Sequence, residues 1–214
     1  MKKSILALGI ILAAGFNVYA QDASKPARTT TVSIGPTLAF GHASTSNLGR
    51  NVWKPAGGLG IGMMIDKGMW GVGMNLMASH EGYKRPFTNA NGAFRETIDP
   101  TYLRFTPAFY FFPGHFSTSV RPMIYAGPSV ARKIAEDHYM SNTITHEQDN
   151  QHFVTNNMYK EWDFGVMGGA GINAQVTPNT SLQVSGSYYH GFFDVINGNE
   201  NSNVMLNVGW MIGL

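Results

Sequence analysis

Eight stretches in which apolar residues alternate with small or polar ones, joined by connections that are long and short in strict turn, predict an all-β chain folded as an eight-stranded antiparallel up-and-down barrel. Composition points the same way. Only 13% of the 214 residues are charged, against about 25% in ordinary soluble domains, and 25 are glycine. No segment beyond the first twenty residues is long and apolar enough to span a membrane as a helix, so a membrane-spanning fold would have to cross with strands.

At the N-terminus, Lys2 and Lys3 precede an apolar run from Ile5 to Phe16 that ends in Val18-Tyr19-Ala20. The run is shorter than the roughly 20 residues a spanning helix needs, and its small-residue ending reads as the cleavage site of a secretory signal peptide over residues 1–20. Residues 21–28 are then a short N-terminal segment and 29–214 the barrel domain. Cleavage before Gln21 would also remove two lysines, leaving thirteen basic against thirteen acidic residues. The basic balance therefore belongs to the precursor, and no basic patch argues for nucleic acid. With no cysteine, neither a disulfide framework nor a lipidated N-terminus is available.

The strands follow in order. The first runs from about Thr29 to Phe40, the second from Pro55 to Asp66, and the third from Met69 to Tyr83 with Trp70, Val72, Met74, Leu76 and Ala78 on one side. In the fourth, Leu103, Phe105, Pro107, Phe109 and Phe111 oppose Tyr102, Arg104, Thr106, Ala108 and Tyr110. The fifth covers Val120 to Val130, the sixth Glu161 to Val176, and the seventh Thr180 to His190. The eighth is the clearest: Val204, Leu206, Val208, Trp210, Ile212 and Leu214 take one face, which a helix would scatter around its circumference. Pro36, Pro107, Pro122 and Pro128 cannot donate to a ladder and are expected at bulges. Trp70, Tyr102, Phe109, Phe111, Phe112, Trp162, Tyr188 and Trp210 are expected as girdle aromatics.

Long connections of about 14, 14, 29 (Arg132 to Lys160) and 12 residues alternate with tight turns at Asp66-Lys67-Gly68, Pro113-Gly114-His115 and Thr177-Pro178-Asn179. Outer-membrane barrels place short turns and both termini on the periplasmic side and long loops outside. The expected location is thus a bacterial outer membrane, with extracellular long loops and a monomeric barrel whose partners are outer-membrane lipid and other envelope proteins.

Beyond Thr97 the chain resembles the PorT-like outer-membrane β-barrel proteins. The resemblance rests on Tyr102-Leu103-Arg104 leading through Pro107 to a Phe-rich end, on Met123-Ile124-Tyr125-Ala126-Gly127-Pro128, on Asp163-Phe164-Gly165 leading into Gly168-Gly169-Ala170-Gly171, and on the ending Gly209-Trp210-Met211-Ile212-Gly213-Leu214. Many such barrels end in an aromatic residue, whereas this chain ends in Leu214. The resemblance implies the fold and an accessory role in an envelope assembly, and it carries over no catalytic or ligand-binding position.

Five charges fall at inward positions: Glu81, Arg104, Arg121, Glu161 and Asp163. A barrel of eight strands has room for little more than its own side chains, so these charges must pair. Strand direction puts Glu81, Arg104 and Asp163 toward the loop end and Arg121 toward the turn end. Arg104 between carboxylates is therefore expected to close the lumen, the alternative being a narrow path for ions or small solutes. The third loop carries His138, His146 and His152 among acidic residues, the weak candidates for a metal, although their spacing matches no defined motif and no cofactor is expected. A lipid-modifying enzyme would need a Ser and a His facing each other, but Ser79 and His80 are consecutive on one strand and point to opposite sides. A non-enzymatic role, structural or through the outer loops, is the expectation.

Overall fold

The computed structural model describes residues 31–45, 54–89, 92–113, 119–142, 145, 147–153, 158–196 and 198–214. The expected signal peptide, the segment 21–28 and the first two residues of the expected barrel domain lie outside them. Ten antiparallel strands form a single sheet: β1 (Thr31–Thr45), β2 (Lys54–Asp66), β3 (Trp70–His80), β4 (Tyr83–Asn89), β5 (Gly92–Phe111), β6 (Val120–Asn142), β7 (Gln148–Phe153), β8 (Trp162–Thr177), β9 (Thr180–Gly191) and β10 (Asn201–Gly213). Eight of them, β1, β2, β3, β5, β6, β8, β9 and β10, pair in that order, and β10 pairs with β1, so the ring is closed.

Closure has a measurable stagger. Passing from Thr31 through its paired neighbours Asp66, Gly71, Tyr110, Tyr125, Gly169, Ser187 and Met205 leads back to β1 at Gly41, ten residues beyond the start. With strands about 4.8 Å apart and a rise of about 3.3 Å per residue, that stagger tilts the strands by about 41° and gives a backbone radius of about 8 Å. Such a lumen is filled by side chains.

The outer surface is apolar where a soluble protein's would not be. Leu59 is 62% exposed and Ile61 59%, and Leu38, Phe40, Val72, Leu76, Phe109, Ile124, Leu206 and Trp210 continue the band around the ring. A contiguous belt of this kind needs an apolar medium. Inside, Met64, Phe112, Met123, Tyr125 and Met211 pack toward the turn end. Tyr83, Ile98, Tyr102, Ala131, Tyr159, Val195 and Ile196 pack toward the loop end. Tyr102 and Phe112 are thus interior residues rather than girdle aromatics, because both occupy inward positions, whereas Trp70, Phe109, Trp162, Tyr188 and Trp210 face out.

The chain has two strands more than the eight expected, because two of the long connections are themselves sheet. β4 folds back on the upper half of β5, with Phe87 stacked on Phe94 at 5.5 Å, and β7 folds back on the upper half of β6. Together β4, β5, β6 and β7 make a four-stranded extension above the ring. Charges on both of its faces, among them Arg85, Arg95, Glu96 and Asp137, erase the alternation that marks a strand embedded in an apolar medium.

The prolines do not produce bulges. Pro36 and Pro122 keep their register opposite Ile61 and Ile172, and the pairings on either side of Pro107 and Pro128 stay in step. Instead, neighbouring backbone closes in, and a Cβ on Gly127 would lie 1.9 Å from the Pro107 carbonyl oxygen. The register shifts fall elsewhere, at Thr101/Tyr102 and Gln175/Thr177. At the first, Ile134 is the extra residue on β6, between Lys133 opposite Tyr102 and Ala135 opposite Thr101. β3 gives way to β4 through Glu81 and Gly82, the latter at φ +109°, a conformation that favours glycine.

Candidate functional site

The alternation of β3, β5 and β8 turns Arg104 and Asp163 inward, and the turn after β3 delivers Glu81 to the same point. Arg104 donates from Nε to Glu81 Oε1 (3.1 Å) and from Nη2 to Glu81 Oε2 (2.8 Å), a two-pronged pairing. It also donates to Asp163 Oδ2 (3.1 Å) and Ser129 Oγ (3.1 Å). Asn201 Nδ2 reaches Glu81 Oε2 (2.5 Å) and Asp163 Oδ2 (3.3 Å), Ser79 Oγ donates to Glu81 Oε1 (2.8 Å), and Tyr189 donates to Asp163 Oδ1 (2.6 Å). The Tyr189 ring lies 3.9 Å from the guanidinium carbon. Arg104 is 3% exposed and both carboxylates 0%. Two anions, one cation and their donors, drawn from six strands and a turn, make a buried crosspiece inside the lumen.

A second crosspiece lies at the turn end. Arg121 pairs with Asp66, donates to the Gly68 carbonyl oxygen (3.1 Å) and covers the Phe112 ring at 4.4 Å. Asp66 also accepts from the Gly68 amide at 2.8 Å, which ties this ion pair to the β2–β3 turn. Between the two crosspieces is a chamber of about 70 Å³ lined by Thr37, Asn75, Met77, Tyr125, Gln183, Asn203 and Asn207. That volume corresponds to a handful of waters, and the buried Asn203 amide, which has no hydrogen bond to protein, is where such water would be held.

Above the Arg104 group, the loop end is capped by Tyr102, Tyr159 and Ile98 and by a second buried pair, Lys133 Nζ to Glu136 Oε2 at 2.5 Å. Glu136 also accepts the Met158 and Tyr159 amides at 2.9 and 3.1 Å. Residues three apart on an unbroken strand face opposite sides, and Ile134, the extra residue of the bulge, is what turns both Lys133 and Glu136 inward. Burial pushes the Tyr83 hydroxyl of this cap up to about 12, with the Glu96 carboxylate adding to the rise.

Of the five inward charges expected, Glu81, Arg104 and Asp163 meet, and Arg121 lies at the other end, paired with Asp66. Glu161 is not in the lumen: it precedes β8, its side chain is 36% exposed, and it pairs with Arg132 on the outer surface at 2.8 Å. The inward alternation starts only at Asp163, once β8 has joined the ladder. Of the metal candidates, His138 faces Glu96 at 3.3 Å and His152 pairs with Asp137, while His146 lies outside the described residues. Among the described residues no three metal-capable side chains converge. His80 turns outward to Thr101 Oγ1 at 2.9 Å, on the opposite face from Ser79. Reasoning from the sequence alone missed Asp66, Asn201, Lys133 and Glu136. The inward positions of Met64 and Gly62 could have pointed to Asp66, but nothing local signals the bulge that brings in Glu136.

Residues 19–197 match the family described as outer membrane protein beta-barrel domain. No curated protein matches the sequence. Among solved structures, Neisserial surface protein A is 12% identical with a TM-score of 0.46, the match covering 87% of this chain and 100% of that one. The outer membrane protein OprG from Pseudomonas aeruginosa is 12% identical with a TM-score of 0.45, covering 86% and 95%. Outer Membrane Protein W of E. coli is 14% identical with a TM-score of 0.38, covering 84% and 97%.

Proposed function

Because the chain belongs to the outer membrane protein β-barrel domain family, a bacterial outer-membrane barrel, we propose that it is a closed, non-enzymatic barrel acting through the β4–β7 extension, as an interaction element or an accessory to an envelope assembly. The observation that carries this reading is the pair of crosspieces: Arg104 with Glu81 and Asp163 at one end, Arg121 with Asp66 at the other. Each blocks a lumen of about 8 Å backbone radius, so solute has no continuous path. What stands clear of the apolar belt is the polar extension, where loops on a rigid scaffold usually carry function. The resemblance to PorT-like barrels favours the accessory role over free-standing adhesion. We place the extension outside the cell and both termini in the periplasm, because the short turns share the termini's end of the barrel. Outer-membrane lipid surrounds a monomeric barrel.

Conductance in planar bilayers tests the closed lumen. The wild type and the single variants Arg104→Ala and Arg121→Ala are expected to stay silent, and only the double variant is expected to pass small ions. Discrete openings in the wild type would replace this reading with the narrow-pore alternative. Replacing residues 139–152 by a short turn is expected to abolish partner association while the barrel still shifts mobility on heating.

A further inference from the structure

β3 ends at His80 while β5 and β6 run on, and the step between them opens a groove just above the apolar belt, on the outward face. Lys54, His80, Lys84, Thr97, Asp99 and Tyr139 line it. Its charges do not balance. Asp99 is occupied by Lys54 Nζ at 2.5 Å, with His80 a further 3.8 Å away, and Asp137, which stands opposite Asp99 in register, is paired with His152. Lys84 stands opposite Thr97, and Arg95, two residues along the same face of β5, is exposed. Neither Lys84 nor Arg95 has an ion pair among the described residues. Burial holds the Lys54 ammonium below the usual lysine range despite the opposing pull of Asp99, and the nearby Lys84 adds a little to the lowering. Thr97, opposite Tyr139 across β5 and β6, adds a hydroxyl donor beside Lys84, while the Tyr139 hydroxyl donates to Asp137.

We propose that this groove holds the phosphate of an anionic membrane lipid. Lys84 in the groove and Arg95 at its edge, neither held by a carboxylate and with the Thr97 hydroxyl opposite Lys84, suit phosphate oxygens, since anionic oxygens take charge-assisted hydrogen bonds best. A lipid is favoured over a free anion because the groove's floor runs directly into the belt. Leu76, 47% exposed, and Ala78 precede His80 on β3, and Leu103 follows Thr101 on β5, so an acyl chain lying along them brings its headgroup to Lys84. The site rests on the orientation proposed above only for which leaflet supplies the lipid.

The test is native mass spectrometry of the full barrel in detergent, with phosphatidic acid, with phosphatidylcholine of the same chains, and with inorganic phosphate. The wild type is expected to retain phosphatidic acid preferentially. Lys84→Gln and Arg95→Gln should each weaken retention about fivefold, the effect of one cation beside an anionic surface. Lys84→Arg should keep it, as should Lys160→Gln, which removes a rim charge already paired with Asp194. Equal losses in Lys160→Gln and Lys84→Gln would reduce the site to diffuse surface charge, and full displacement by millimolar inorganic phosphate would make it a free-anion site; either result overturns the proposal. Every variant is outward-facing, and retained mobility shift on heating reports an intact barrel. Labelling of Ser141→Cys on intact cells tests the orientation separately: no labelling would move the lipid to the other leaflet and overturn the proposed placement of the extension, leaving the retention result standing.

Discussion

Replacing Arg104 with methionine, which is similar in length and uncharged, isolates the electrostatic role of the upper crosspiece. The change removes four hydrogen bonds of 2.8 to 3.1 Å and leaves Glu81 and Asp163, both fully buried, with no cation and only the neutral donors Ser79, Tyr189 and the shared Asn201 amide. Removing one partner of a buried ion pair costs about 3–5 kcal/mol, because the remaining charge keeps its desolvation penalty and loses its compensation. Replacing all three charges at once, as Arg104→Met with Glu81→Gln and Asp163→Asn, leaves neutral groups that can still bond to Ser79, Tyr189 and Asn201. Buried ion sets replaced by neutral groups of similar volume are often no less stable, so the triple variant is expected within about 1 kcal/mol of the wild type. Urea unfolding in lipid vesicles, followed by tryptophan fluorescence and by the mobility shift on heating, measures both values. A single variant that loses less than about 1 kcal/mol, or a triple variant no more stable than the single one, refutes the argument that charge compensation holds this crosspiece together.

Gly127→Ala should cost about 1–3 kcal/mol, since its Cβ would lie 1.9 Å from the Pro107 carbonyl oxygen, whereas Gly186→Ala, with nothing within 4 Å, should be neutral or slightly stabilising in the same titration. Tyr83, raised to about 12 from 10.0, contributes stability that is fully present below pH 10 and lost as pH rises toward 12; amide exchange at Ile98 should quicken across that window and do so less in Tyr83→Phe. Asp194 is held below the usual aspartate range, first by the hydrogen bond from Lys160 and then by the Gly198 and Asn199 amides. Its contribution is present above pH 3.8 and lost only as pH falls through the lower folded value, so exchange of the Gly198 and Asn199 amides should stay slow at pH 5 and quicken below about pH 3.8, with Asp194→Asn removing the transition.

The period-two pattern of Val204 to Leu214 revealed a strand with one face in an apolar medium, and its recurrence in eight stretches joined by connections long and short in turn revealed the barrel. Both rest on backbone geometry, which sends successive side chains to opposite sides whatever the rest of the chain does. The same alternation was enough to place Arg104 and Asp163 inward and Arg121 toward the other end. It failed where its premise failed. Above the belt no medium selects apolar residues on either face, so β4 and β7 carry charge on both sides and resemble loops in composition. Glu161 has the inward alternation of Asp163 but lies just before β8 begins, its carbonyl oxygen bonded to the Lys133 amide of β6, and its side chain pairs with the exposed Arg132 instead.

Residue order by itself therefore determined the strand content of the ring, its closure and which side of each ring strand meets the apolar medium, because these follow from local periodicity. The tertiary structure alone decided which charges meet. The ten-residue stagger brings Glu81, Arg104, Asp163 and Asn201 from distant parts of the chain to one level, and the Ile134 bulge turns Lys133 and Glu136 to the same side. Register between strands is a property of the closed ring, set by all eight pairings together, and no single strand's sequence contains it.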